Sequence, residues 1–217
     1  MPRDKTDPSQ TAVRGEPIRQ RVLDAAERLL GEGKAEFSMR DLAAEAGVSF
    51  ATPFNRFGSK AGVMHALSER RIEAMAARFA EASPPPDAIG RVLLATDLAA
   101  AVMLEQPAVN RAVMGWIGAE GPTPGDALQR SAGLWSLALA DGEGLDPAER
   151  EQALERLPAQ LAFGFRGVLS FWTAGELRDE DLASQARDVA QALLIGYAGR
   201  RAPPAPAPRQ PPVPPAA

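Results

Sequence analysis

The segment from Phe37 to Lys60, FSMRDLAAEAGVSFATPFNRFGSK, constrains the chain more than any other stretch. Ser38 is a helix cap by type, and Met39, Leu42, Ala43 and Ala46 then recur at the spacing of one helical face. Gly47 ends that helix, because glycine enters the left-handed backbone region without a Cβ penalty. Val48 packs in the turn, and Ser49 stands where it can cap a second helix. Phe54 and Phe57 anchor that second helix to the core, which leaves Phe50, Ala51, Thr52, Asn55 and Arg56 facing outward. Two short helices about a glycine turn make a helix-turn-helix, whose second helix can lie in a DNA major groove.

The segment resembles the DNA-binding domain of TetR-family transcriptional regulators. The matching positions are Gly47, Val48 and Ser49, then Thr52 and the aromatic Phe54, then Phe57, Ser59 and Lys60. The resemblance extends back over the helix expected from Ile18 to Leu30. It implies an all-α chain with an N-terminal three-helix DNA-binding domain and a helical domain that binds a small inducer and dimerises. The residues it assigns to DNA are Arg40, Ser49, Phe50, Ala51, Thr52, Phe54, Asn55, Arg56, Ser59 and Lys60. Asparagine can read adenine, arginine can read guanine, and Phe50 can meet a thymine methyl. Ser59 and Lys60 open the next helix, and a helix N-terminus with a lysine is a natural phosphate site. Ser59 reads equally as a plain cap, and Arg40 equally as a phosphate contact or a surface charge.

Two positions depart from the family pattern. Phe54 stands where the family usually carries tyrosine, so it lacks the hydroxyl that commonly reaches a DNA phosphate. Pro53 is cheap only in a first helical turn, so the second helix should start near Phe50 with a distorted first turn.

Composition limits the alternatives. The 217 residues are 45% hydrophobic, ample for a buried core, and only 6% aromatic, which with frequent alanine favours helices. A net charge of −4 argues against a general polyanion binder but leaves room for a local DNA-binding patch. The absence of cysteine rules out disulfides, thiolate metal sites and cysteine nucleophiles. His65 is the one histidine and supports neither a metal site nor a catalytic triad. No catalytic residue, metal ligand or cofactor motif is assigned, and the chain is not expected to be an enzyme. No signal peptide and no run of about 18 apolar residues is found, so a cytoplasmic protein without membrane contact is expected.

Proline and glycine divide the chain. Residues 1–16 read as a disordered arm, 17–60 as the DNA-binding domain, 61–83 as a connecting fourth helix, 84–201 as the helical domain and 202–217 as a proline-rich disordered tail. Arg3, Lys5, Arg14, Arg19 and Arg21 give the arm either a minor-groove role or that of a solvated leader. Further helices are expected over 88–104, 108–119, 126–140, 159–174 and 180–199. Another starts at Asp146-Pro147 and is broken or kinked by Pro158.

Candidates for the pocket of the second domain are Met103, Met114 and Trp116, with Arg111 as polar anchor. Leu161, Phe165, Val168 and Trp172 form one stripe and Val189, Leu193 and Tyr197 another. They are expected to build a four-helix dimer interface, the alternative being burial within their own domain. The expected function is a homodimeric repressor released from a palindromic operator by a small-molecule ligand. The alternative is a helical dimeric interaction protein of the same fold that has lost DNA binding.

Overall fold

Alanine-rich helical periodicity, interrupted by capping residues and glycines, resolves into nine α-helices among the described residues, 8–117 and 126–198, of a computed structural model. They are α1 (Pro8–Gly31), α2 (Met39–Glu45), α3 (Ala51–Phe57), α4 (Lys60–Glu81) and α5 (Ala88–Glu105), then α6 (Pro107–Ile117), α7 (Ala127–Leu139), α8 (Arg150–Thr173) and α9 (Asp179–Ile195). The described residues hold no strand beyond an isolated antiparallel bridge between Leu145 and Ala198. None of their helices is long and apolar enough to cross a membrane.

Local chemistry sets the ends of the first helices. The Ser38 hydroxyl accepts from Asp41 N at 3.2 Å, and the Asp41 carboxylate accepts from Ser38 N at 2.8 Å, a reciprocal capping box that starts α2. These bonds hold the Asp41 carboxyl below its ordinary pKa. Their stabilisation is therefore present above the ordinary carboxylate range and lost as pH falls through the depressed value. Gly47, at φ +63°, closes α2: Val48 N donates to Ala43 O at 3.0 Å and Gly47 N to Ala44 O at 3.1 Å.

Helix α3 starts near Phe50, as expected, but Ser49 does not cap it. The Ser49 hydroxyl bonds the Thr52 hydroxyl at 2.7 Å instead of capping the backbone, and Phe50 stands at the N-cap position with helical φ −52° and ψ −37°. Pro53 is the third residue of α3, where its missing N–H would have had no helical partner, and it is buried.

Two other expectations are corrected. Residues 8–16 form the first turns of α1, which passes through Pro17 at the loss of one backbone hydrogen bond. Residues 1–7, with Arg3 and Lys5, and the tail 202–217 lie outside the described residues. Pro158 does not break the chain into two helices: α8 runs through it, and the ring is buried. Proline's fixed φ is itself helical, so the cost is local, and burial of apolar surface offsets it. Asp146 makes a turn, accepting from Ala148 N at 3.0 Å, and α8 starts only at Arg150.

The helices enclose two cores. Val22, Leu23 and Leu30 of α1, Phe37, Leu42 of α2, and Val63, Met64 and Leu67 of α4 form the first. Val109 and Val113 of α6 join them from beyond the proline run at 84–86. The second core takes Met75 and Phe79 from α4 and closes with α5, α7, α8 and α9; at its centre Trp135 and Phe165 meet edge to face at 5.7 Å. The proline run ends α4, but the packing boundary lies inside α4 and α6.

Two glycines test this account of backbone strain. An added Cβ meets nothing within 4 Å at Gly47 or at Gly133, in the interior of α7. Gly47→Ala should destabilise by about 1 kcal/mol because its φ is left-handed, whereas Gly133→Ala should stabilise by about 0.5–1 kcal/mol. Urea denaturation measures both, and shifts of the same sign would contradict the assignment.

Candidate functional site

Pro53 and Phe57 turn α3 against the body of the N-terminal domain. Pro53 is buried, Phe57 packs on the first core, and the Arg19 guanidinium lies 5.9 Å from the Phe57 ring centroid. The other side of α3 is open. Phe50 is 54% exposed and Phe54 42%, and their rings meet edge to face at 5.4 Å. Phe54 therefore does not anchor α3; Pro53, one residue earlier and about 100° round the helix, takes the inner position. Arg40 of α2 reaches to 5.4 Å from the Phe50 ring, so the two helices of the motif share one outward surface. Ser49, Ala51, Asn55 and Arg56 are exposed on it or half-buried at its edge, as is Thr52. Arg40 and Arg56 form no ion pair among the described residues.

Ser59 caps α4, accepting from Gly62 N at 3.2 Å, and remains exposed. Lys60 is not brought to that surface. Its ammonium donates to Ala35 O at 2.5 Å and lies 4.7 Å from the Phe37 ring and 5.0 Å from the Trp116 ring. One backbone carbonyl and two aromatic faces, on both sides of the joint between domains, hold the charge.

Behind Lys60 runs a polar junction. Arg71 of α4 pairs with Glu27 of α1 at 2.7 Å and donates to the Asn110 Oδ1 of α6, also at 2.7 Å. Asn110 is buried and donates in turn to Met103 O at 2.8 Å near the end of α5. Arg70 adds an ion pair to Asp24 at 2.7 Å.

A cavity of about 270 Å³ opens beside this junction, between α4, α6, α7 and α8. Met103 and Met114 line it. Trp116 and Arg111 do not. Trp116 packs on the N-terminal core beneath Lys60. Arg111 lies 4.3 Å from the Trp172 ring, donates to Trp172 O at 3.1 Å and pairs with Asp179, which clamps α6 to α8 and α9. The polar group that reaches the cavity is instead Arg166, which donates to Met114 O at 3.2 Å and contacts the Met114 sulfur at 3.3 Å. Burial pushes its guanidinium below the ordinary arginine pKa. The signal for Arg166 lay in the sequence: it is the single charge in the apolar run LAFGFRGVLSFW.

The two stripes assigned to dimerisation are used inside the chain. Leu161, Phe165, Val168 and Trp172 are buried in the second core, and Val189, Leu193 and Tyr197 pack against it. Gly164 serves this internal contact, since a Cβ there would stand 2.8 Å from Val189 Cγ1. Helix α8 also carries Phe163, at the rim of the cavity, and Phe171, each 59% exposed, with exposed Gly167 between them.

Residues 22–67 match the family model described as bacterial regulatory proteins, tetR family. No curated protein matches the chain in sequence. Among solved structures, the chain is similar to a TetR transcriptional regulator from Rhodococcus sp. RHA1, with a TM-score of 0.65 at 24% identity over 83% of this chain and 97% of that one. It is also similar to the TetR-family transcriptional regulator PfmR from Thermus thermophilus, with a TM-score of 0.50 at 20% identity over 81% and 95%. The same TM-score of 0.50, at 19% identity over 82% and 95%, relates it to AlkX from Dietzia sp. strain DQ12-45-1b, a TetR-family repressor implicated in biodegradation of n-alkanes. The N-terminal helix-turn-helix thus matches the TetR family over residues 22–67, and the chain has the fold of TetR-family transcriptional regulators.

Proposed function

We propose that the chain is a sequence-specific transcriptional regulator of the cytoplasm, acting as a homodimeric repressor released from a palindromic operator by a small-molecule ligand. The observation that carries this reading is the outward surface of α2 and α3, where Arg40 and Arg56 stand without acidic partners among the described residues. Asn55 and Arg56 have the donor and acceptor types that read base edges. The exposed N-terminus of α4, capped by Ser59, suits a phosphate. Phe50 and Phe54 offer apolar contact to thymine methyl groups, and Phe54 replaces the family's tyrosine contact with none. Two copies would set their α3 helices about 34–36 Å apart, one turn of the duplex.

Arg56 and Lys60 separate contact from support. Arg56→Ala should leave the melting temperature unchanged and cost about 1–3 kcal/mol of binding, with relaxed preference at one base pair. Lys60→Ala should destabilise the fold by about 1–2 kcal/mol while leaving the slope of log affinity on log salt unchanged. The measurements are melting curves and anisotropy titrations, at several salt concentrations, of DNA from upstream of the chain's own gene and of random DNA. If native protein shows no preference for any upstream fragment, the alternative stands: an interaction protein that uses the exposed Phe50–Phe54 pair.

For dimerisation the support is the exposed stripe of α8, where Phe163 and Phe171 flank the bare Gly167. Exposed aromatic surface about a small residue fits a helix packed against its own copy. Phe171→Glu should yield monomers in sedimentation velocity with a melting curve typical of a folded domain. A persistent dimer would move the interface elsewhere.

A further inference from the structure

The cavity between α4, α6, α7 and α8 has an asymmetric charge. Among the described residues no carboxylate lines it, while two guanidiniums do, those of Arg71 and Arg166. Arg71 is already matched, by Glu27 at 2.7 Å and Asn110 at 2.7 Å. Asn110 is likewise committed, to Met103 O. Arg166 forms no ion pair among the described residues; its contacts are a carbonyl and a thioether of Met114. A half-buried guanidinium with only neutral acceptors has lost hydration without gaining a counter-charge. Around it the wall is apolar, with Met75, Met103, Leu134, Trp135 and Phe165.

We propose that this pocket binds an amphiphilic monocarboxylate, its carboxylate on Arg166 and its hydrocarbon body against Met75, Met103, Trp135 and Phe165. This rests on the proposed function, with this cavity taken as the site of the releasing ligand. The planar fork of arginine matches a carboxylate with two parallel hydrogen bonds. One unmatched positive charge fits a monoanion, and a dianion would leave the second charge without a partner. A cationic ligand would meet two guanidiniums and no acid. A neutral apolar ligand would fill the walls but leave Arg166 uncompensated and cut off from water, so the site discriminates by charge as well as by shape.

The native protein tests this directly. Calorimetric titration with octanoate and with 1-octanol, which share a chain length, should show octanoate binding at least about tenfold tighter, the range for a hydrogen bond to a charged group. Arg166→Gln should bring the two ligands to about equal affinity by weakening octanoate alone, and Arg166→Lys should keep part of the preference. Melting curves establish that each variant is folded, and the comparison of the two ligands on native protein stands even if neither variant folds. Octanol binding as tightly as octanoate, a folded Arg166→Gln that keeps its acid preference, or no saturable binding of octanoate by native protein would each overturn the proposal. A parallel DNA titration keeps the two readings apart. Release of DNA by octanol but not octanoate would leave the regulator reading standing without the carboxylate. Arg166-dependent octanoate binding by a protein that ignores all DNA would do the reverse.

Discussion

Helix α4 must satisfy two cores at once. Its first turns bury Val63, Met64 and Leu67 against α1 and α2, and its last turns bury Met75 and Phe79 against the helices beyond. From Leu67 to Met75 the axis advances about 12 Å, so a stiff rod sets the spacing between the N-terminal domain and the second domain. A single rod would still leave rotation about its own axis open. Helix α6 removes that freedom, because Val109 and Val113 enter the N-terminal core while Asn110 ties α6 to Met103 O of α5 and Arg111 ties it to α8 and α9. The orientation of α3 is therefore a property of how α4 and α6 pack against each other.

Polar groups make that packing specific. Apolar contacts tolerate small slips, whereas the Arg71 guanidinium pairs in charge with Glu27 and donates through Nε to Asn110 Oδ1, at 2.7 Å each. The attraction within a buried ion pair is largely offset by desolvation and so adds little net stability, but removing one member strands the other in a place where water does not reach. Lys60 gives a second strap across the same joint, since Ala35 and Phe37 belong to the N-terminal domain and Trp116 to α6. Both straps work by placing a cation where only one arrangement of the neighbouring helices provides its acceptors.

Features carried by local chemistry were legible in the sequence. The Ser38 cap, the Gly47 turn, the Ser59 cap and the inner face of α2 follow from residue type and helical spacing, with no knowledge of what lies nearby. Features set by long-range packing were not. Lys60 carries the right charge at the start of a helix, but Trp116, far along the chain on α6, decides where its ammonium goes. Phe54 and Pro53 exchange roles because a buried proline ring filled the site that periodicity gave to the phenylalanine. The stripes on α8 and α9 have the apolar spacing of a dimer interface and of an internal helix pair alike. Only the short Gly164–Val189 approach separates the two, and it lies within one chain. Arg111 and Arg166 were equally plausible as anchors by type, and an aromatic ring with an aspartate claimed the first.

The cavity and the joint share a wall, which bears on how occupancy could reach α3. Arg71, Asn110 and Val113 line the cavity, and the same three residues tie α4 and α6 to each other and to the N-terminal core. No chain of intermediates is needed between the pocket and the N-terminal domain, because Arg71 touches the pocket and Glu27 of α1 with the same side chain. Contact alone gives no coupling: a ligand shifts the orientation of α3 only to the extent that it binds one arrangement of α4 and α6 better than another. Arg166 on α8 and Arg71 on α4 both line the cavity. A ligand held by Arg166 that also contacts Arg71, Asn110 or Val113 would touch the α4–α6 packing that orients α3. Under the proposed function, its effect on α3 would follow from how far it favours one arrangement of that packing over another.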